Sequence, residues 1–151
     1  MADYYQATLS IPAHLITPEI KAMIDEYIQE HETEDSVVDG IFTLVAPEAR
    51  YGEFEGIEEA LVKAEIPFDR ETAADYAEPS FTVYFRPGVT PTPKYVCDVI
   101  DVLEVRGLLK TGGLEALQEK LTKDYPEFLP LEGKKEEVSD AKAEVEEEAG
   151  L

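Results

Sequence analysis

The sequence is poor in the residues that most often carry out chemistry. Among its 151 residues there are one cysteine, two histidines and no tryptophan. A single cysteine excludes both an intramolecular disulfide and a metal site built from several cysteines. Cys97 stands among Val96, Val99 and Ile100, a context that favours a small buried side chain over a reactive thiol.

Catalytic and cofactor-binding motifs are missing as well. His14 and His31 have no serine, cysteine or carboxylate at a spacing that indicates a hydrolytic site. The glycine pair at 112–113 lacks the lysine and the preceding strand of a phosphate-binding loop. The acids at 32–39 are of a type that binds calcium, but Gly40 follows them instead of interrupting them. The sequence therefore predicts a protein that is not an enzyme and holds no cofactor and no metal.

Long apolar runs are also absent. No stretch approaches the roughly 18 apolar residues of a membrane span. The first residues, Met-Ala-Asp-Tyr, contain neither the basic region nor the apolar region of a secretion signal. We therefore expect a cytoplasmic protein that does not associate with membranes.

Positive charge is scarce throughout the chain. There are 34 aspartates and glutamates but only 13 lysines and arginines, which gives a net charge of -21. Such a surface repels the phosphates of nucleic acids and attracts basic protein surfaces. We therefore expect no direct binding to nucleic acid, and a basic protein as the partner.

The negative charge is not confined to the C-terminal end. Residues 132–151 contain eight acids and three bases, so residues 1–131 still carry a charge of -16. Beyond Gly133 the apolar residues are scattered valines and alanines, too few to offset the entropy lost on ordering. The predicted organisation is a single acidic domain over 1–131, followed by an acidic tail over 132–151 that is disordered or a fraying helix.

The periodicity of apolar residues predicts the secondary structure. Strands are predicted at 4–11, 41–45 and 81–86 from alternation or continuous apolar character. Helices are predicted after Thr17-Pro18, over 53–66, from Thr92-Pro93 to about 103, and over 114–121. The order is therefore β-α-β-α-β-α-α. We predict an α+β fold with a small three-stranded mixed sheet covered by about four helices.

The segment 49–70 is predicted to organise the fold. Gly52 permits the turn that leaves the preceding strand. Phe54, Ile57 and Leu61 then recur at helical spacing, with glutamates on the other faces. Pro67 ends this helix because it lacks a backbone N–H. One side of the helix is thus predicted to be core and the other a row of carboxylates.

The outward carboxylates are the candidate binding residues. The charge on residues 1–131 exceeds the magnitude of roughly 2 to 8 that keeps a small domain soluble. Acids that are closely spaced and rarely interrupted by bases resemble the phosphates of a duplex, and between residues 22 and 62 the only base is Arg50. The candidate partner-binding residues are Asp25, Glu26, Glu30, Glu32, Glu34, Asp35, Glu53, Glu55, Glu58 and Glu59.

Three arginines form a second candidate. Arg50, Arg70 and Arg86 each adjoin an aromatic residue and the end of a predicted element, so they could converge on a rim that binds an anion. Pairing with the abundant carboxylates explains the same residues and is the favoured interpretation, because such pairs relieve repulsion between like charges.

A resemblance adds context to these patterns. The segment YGEFEGIEEALVKAEIPFDR, followed after a polar gap by a strand ending in FRPG, resembles small acidic proteins of phages and other mobile elements. It covers about residues 41–88. The resemblance implies an inhibitor of host defence, by analogy with DNA-mimicking anti-restriction and anti-CRISPR proteins.

Two functional hypotheses of different classes therefore stand beside each other. The favoured one is a non-enzymatic inhibitor whose acidic face docks on a basic nucleic-acid-binding surface, for example that of a nuclease or CRISPR effector. The alternative is a homo-oligomeric assembly module, such as a homodimer, that uses Tyr4, Tyr51 and Tyr84 on an open sheet face. A small-ligand enzyme built on the three arginines is the least favoured.

Overall fold

A computed structural model describes residues 4–73, 79–97 and 99–133 of the chain. The strands are β1 (Tyr4–Pro12), β2 (Glu34–Val38), β3 (Ile41–Arg50), β4 (Phe68–Thr72), β5 (Phe81–Phe85) and β6 (Lys94–Cys97). The helices in these ranges are α1 (Pro18–Glu30), α2 (Ile57–Lys63) and α3 (Val102–Asp124). The six strands form one sheet in the order β2-β3-β1-β4-β5-β6, and every neighbouring pair is antiparallel.

The first four strands and two helices form a recognisable unit. Their order along the chain is β-α-β-β-α-β, which is the connectivity of the split β-α-β, or ferredoxin-like, arrangement. β1 lies at its centre and pairs with both β3 and β4. β5 and β6 extend the sheet beyond β4.

One side of the sheet carries the core. Alternate residues of β1 point to this side, and Ala7, Leu9 and Ile11 are fully buried there, as expected for a half-buried strand. They belong to one cluster with Ile20 and Ile24 of α1 and with Ile57 and Leu61 of α2. We call this side of the sheet the helix side and the other the open side.

The predicted start of α1 is confirmed. Pro18 is its first residue, and the Thr17 hydroxyl accepts a hydrogen bond from the Ile20 backbone N–H at 3.2 Å. The ring of Tyr27 lies 5.3 Å from that of Phe54, which ties α1 to the segment that precedes α2. The two helices therefore pack side by side over the central strands.

The predicted three-stranded mixed sheet with four helices is wrong. The sheet has six antiparallel strands and the described residues form three helices, so the predicted order β-α-β-α-β-α-α is wrong as well. Three strands lack the pattern on which the prediction relied. All five residues of β2 are exposed, so this strand has no buried face to produce alternation and its acids were interpreted as a loop.

The other two missed strands were hidden for different reasons. In β4, polar side chains point inward, since Arg70 and Thr72 are buried on the helix side while Glu71 is exposed. β6 occupies the region predicted as a helix after Thr92-Pro93. Its apolar residues fit either period, and antiparallel pairing with β5, from Phe81 with Cys97 to Tyr84 with Lys94, selects the strand.

The last described helix bends back on itself. The backbone of Gly113 has φ 69° and ψ -160°, which interrupts α3. Lys120 Nζ lies 3.0 Å from Glu104 Oε2, a contact that a straight helix could not make across 16 residues. None of the α3 residues is buried.

The segment after α3 lies against the open side of the sheet. The ring of Phe128 stacks on that of Tyr84 at 4.7 Å. The Arg86 guanidinium donates from Nη2 to the Leu129 carbonyl oxygen at 2.8 Å. A Cβ atom placed on Gly133 would lie 2.7 Å from the Gly40 Cα atom, so glycine permits a close approach to the β2–β3 turn.

Two further predictions concern the acidic tail over 132–151 and the absence of membrane spans. Apart from Glu132 and Gly133, the predicted tail lies outside the described residues. In the ranges that the structure describes, no helix combines the length and the apolar character needed to cross a membrane.

Candidate partner-binding face

The two parts of the described chain differ in charge. Residues 4–73 contain 16 acids and four bases, whereas residues 79–133 contain eight acids and six bases. Of the four bases in the first part, Lys21 pairs with Asp25 and Arg70 pairs with Glu58. The split β-α-β unit therefore carries a net charge of -12, whereas residues 79–133 carry a net charge of only -2.

The ten predicted partner-binding acids lie on three neighbouring elements of this unit. Asp25, Glu26 and Glu30 are on α1; Glu32, Glu34 and Asp35 precede or begin β2; Glu53, Glu55, Glu58 and Glu59 precede or begin α2. All of them except Glu58 are exposed. α1 and α2 pack side by side on the helix side, and β2 is the edge strand next to α1 and β3.

Four of these acids surround one cavity, which we call the α2 groove. It has a volume of about 610 Å³ and is lined by Glu53, Glu55, Glu58, Glu59, Val62, Lys63, Arg70, Val83, Pro93 and Tyr95. Its apolar residues come from α2 and from the β5 and β6 region, where α2 leaves the sheet uncovered. The groove thus combines acidic residues with an apolar floor, as expected for a site that accepts amphipathic cationic groups.

Glu58 and Arg70 form an ion pair beneath this groove. Arg70 Nε donates to Glu58 Oε2 at 3.0 Å, and the two side chains are only 7% and 16% exposed. The same oxygen accepts the Phe54 backbone N–H at 2.7 Å. Burial raises the pKa of Glu58, although Arg70 and the Phe54 N–H oppose the shift. Glu58 is therefore engaged inside the protein, unlike the other nine acids.

Arg70 also fixes the turn that carries Glu53 and Glu55. Its Nη1 donates to the Gly52 carbonyl oxygen and to the Thr72 hydroxyl, both at 2.8 Å. The Thr72 hydroxyl donates in turn to the same carbonyl oxygen at 2.9 Å. This network holds the acidic turn against the sheet. The buried guanidinium is tolerated because its N–H groups donate hydrogen bonds to these partners.

The three predicted arginines lie in separate places. Arg70 is on the helix side of β4, and Arg50 ends β3 with its guanidinium 5.5 Å from the centre of the Tyr51 ring. Arg86 follows β5, and its Nη1 lies 2.8 Å from Asp69 Oδ1. Burial raises the pKa of Asp69 despite the opposing effect of Arg86. Two of the three arginines are thus paired with carboxylates, Arg70 on the helix side and Arg86 on the open side of the sheet.

Sequence reasoning did not find the inward role of Arg70. Its neighbours Asp69 and Glu71 are also polar but point away from the core, so residues 69–72 show no alternation of polar and apolar side chains. The available signal is Phe68, two residues before Arg70, because it is apolar and residues two apart share a face of a strand.

Known proteins provide no further constraint. No family model, no curated protein and no solved structure matches this chain. The functional conclusion therefore depends on the geometry and the charge of the site.

The residues named by the alternative hypothesis lie at two locations. Tyr84 is on the open side and stacks on Phe128. Tyr4 and Tyr51 are exposed near the other end of the sheet, where Tyr4 pairs with Arg50 across β1 and β3. In the described ranges, histidine, cysteine, aspartate and glutamate form no group of three that could hold a metal ion.

Proposed function

We propose that this protein is a non-enzymatic, cytoplasmic binding protein whose acidic helix side docks on the basic surface of a nucleic-acid-binding protein. The expected consequence for the partner is inhibition, because the acids would occupy the surface that otherwise contacts phosphates. The analogy with anti-restriction and anti-CRISPR inhibitors suggests nucleases and CRISPR effectors as the first partners to examine.

The observation that carries the proposal is the partition of charge. The exposed acids of α1, α2 and β2 belong to a region with 16 acids and four bases. A field of one sign over one face speeds the approach of an oppositely charged partner and makes the association sensitive to salt.

The open side of the sheet supports a protein partner over a nucleic acid. Proteins that bind RNA with a four-stranded sheet stack bases on aromatic side chains of that sheet. Here the open side of β1 presents Thr8 and Ser10, and β4 adds Asp69 and Glu71. Hydroxyls and carboxylates provide neither a stacking surface nor positive charge on these two central strands. Farther along the open side, the ring of Tyr84 is already stacked on Phe128 and Arg86 is paired with Asp69.

Affinity capture tests the proposal. The full chain is immobilised and exposed to nuclease-treated bacterial lysate, and proteins retained at low salt are identified by mass spectrometry. We expect a nucleic-acid-binding protein that is retained at low salt, released at high salt and displaced by duplex DNA. The DNA-binding or cleavage activity of that protein should fall when this chain is added.

Two results would contradict the proposal. One is a partner that is retained equally at low and high salt and is not displaced by duplex DNA. The other is a partner that continues to bind and cut DNA normally while it is bound to this chain.

A further inference from the structure

The strand at one edge of the sheet has no described strand on its outer side. β2 is last in the sheet order and pairs only with β3. All five of its residues are exposed, and the side chains of Val37 and Val38 are 58% and 64% exposed. An exposed edge of this kind presents a row of backbone N–H and C=O groups to another chain.

A second cavity lies directly beside this edge, and we call it the α1–β2 groove. Its volume is about 420 Å³. Apolar residues of α1, β2, β3 and the segment before α1 line most of it, among them Ile24, Ile28, Val37 and Phe42. An apolar side chain projecting from a strand added to β2 could enter it, because side chains on one face of a sheet project in the same direction.

Carboxylates accompany the groove and the strand. Asp25 and Asp35 belong to the lining, Glu34 begins β2, and Lys21 is the single base among the lining residues. Lys21 is already paired with Asp25 at 3.0 Å. The charge beside β2 is therefore complementary to lysine or arginine and opposed to further acids.

This charge distinguishes between the possible occupants. A second copy of the chain would bring another Glu34 and Asp35 to the same edge and add a second charge of -21, so like charges would oppose the pairing. A basic segment meets no such opposition and gains the backbone hydrogen bonds of an added strand.

We propose that β2 accepts an extended segment of a basic partner protein as a seventh strand. The segment has alternating apolar and basic residues, with an apolar side chain in the α1–β2 groove and basic side chains on the opposite face of the sheet, where Glu34 lies. This inference depends on the proposed function, since it assumes that the partner is basic. It goes further by specifying which kind of segment of the partner is bound.

A peptide titration tests this inference without any captured partner. The probe is a nine-residue synthetic peptide of alternating valine and lysine, added to the isotopically labelled full chain and followed by NMR. We expect the backbone amide signals of residues 34–38 to shift and their exchange with solvent to slow. The same peptide with alternate backbone nitrogens methylated should bind at least about tenfold more weakly, because it cannot form the added ladder.

A matched pair of variants locates the effect. Val37→Lys adds a charge to the groove and to β2, whereas Val89→Lys adds the same charge at another exposed valine, in the loop after β5. We expect Val37→Lys to weaken peptide binding by about tenfold or more and Val89→Lys to leave it within about twofold. Both positions are exposed, and the amide spectrum of each variant reports whether the fold is retained.

Three results would overturn the inference. The first is that the peptide does not bind, and the second is that the methylated peptide binds as tightly as the unmodified one. The third is that signals shift only at residues of the α2 groove and that Val37→Lys binds the peptide as tightly as the unmodified chain does. The third result would not contradict the proposed function, which depends on the charge of the helix side. A captured partner that is retained equally at low and high salt and is not displaced by duplex DNA would instead contradict the proposed function, even where the peptide titration succeeds.

Discussion

Residues 4–73 and residues 79–133 contribute to the same sheet but differ in burial and in charge. Among the residues that the structure describes, the core has 15 buried apolar side chains, of which 13 lie in the first region and two, Val83 and Phe85, in the second. The first region also holds 16 acids against four bases, while the second holds eight against six. The part of the chain that forms most of the core thus also carries -12 of the net charge of -21.

This difference bears on why the protein is so acidic. If the acids served mainly to keep exposed apolar surface in solution, they would accompany that surface. The exposed apolar side chains of α3, such as Leu103 at 69% and Leu114 at 73%, instead lie in the nearly neutral region. The concentration of acids on the other region therefore favours the proposed role in recognition over a role in solubility.

Removing Arg70 gives the largest expected effect on this comparison. Arg70→Met leaves Glu58 buried without its cation and should lower the free energy of unfolding by about 3–5 kcal/mol. The double variant Arg70→Met with Glu58→Met should recover part of the loss, because no buried charge remains. Lys21→Met, which breaks the exposed pair with Asp25, is the control and should cost less than about 1 kcal/mol. Urea unfolding measures all four proteins, and equal losses for Arg70→Met and Lys21→Met would contradict the account.

Two leucines compare the regions with identical chemistry. Leu61 of α2 is fully buried, whereas Leu114 of α3 is 73% exposed. Leu61→Ala should lower the free energy of unfolding by about 2–5 kcal/mol, and Leu114→Ala should change it by no more than about 0.5 kcal/mol. Thermal unfolding of both variants provides the measurement. A large loss for Leu114→Ala would show that α3 packs more tightly than its exposure indicates.

Two glycines extend the comparison to the backbone. Gly52 has φ +67°, and a Cβ atom there would lie 2.6 Å from Thr72 Cγ2. Gly52→Ala should therefore cost about 1–3 kcal/mol. Gly107 lies inside α3 with nothing within 4 Å of an added Cβ atom, so Gly107→Ala should stabilise the protein by about 0.5–1 kcal/mol. Denaturant midpoints for the two variants should move in opposite directions, and a shift of both in the same direction would refute this assignment.

The pH dependence of stability gives the smallest expected effect. Since the folded pKa of Glu58 is raised above its ordinary value of 4.5, the folded chain holds this proton more tightly than the unfolded chain. The associated stabilisation is present below about pH 4.5 and is lost as the pH rises through the folded pKa. The free energy of unfolding should therefore fall more steeply above pH 4.5 in the unmodified chain than in Glu58→Gln. A carboxyl NMR titration should give a midpoint for Glu58 above 4.5, and a midpoint below it would contradict the assignment.

The sequence was sufficient for the elements that follow common rules. The Thr17-Pro18 start of α1, the alternation of β1 and the buried stripe of Ile57 and Leu61 were all predicted from local patterns, and the structure confirms them. These elements are specified by capping and by one buried face, which nearby residues determine.

The remaining elements depend on contacts between distant parts of the chain. β2 becomes a strand by pairing with β3, although none of its side chains is buried. The inward orientation of Arg70 requires Glu58 and Gly52, which lie 12 and 18 residues away. A pattern of single residues does not contain such partnerships, so neither the six-stranded sheet nor the network beneath the α2 groove was predicted.

Selective neutralisation of charge tests the central claim most directly. Glu53, Glu55 and Glu59 of the acidic region are changed to glutamine together, and Glu115, Glu119 and Glu127 of the nearly neutral region are changed in the same way. All six are exposed, and each set removes the same charge. The account predicts that the first variant binds the captured partner about tenfold or more weakly, with a shallower dependence on salt, while the second binds within about twofold of the unmodified chain. Equal losses of affinity for the two variants would contradict it.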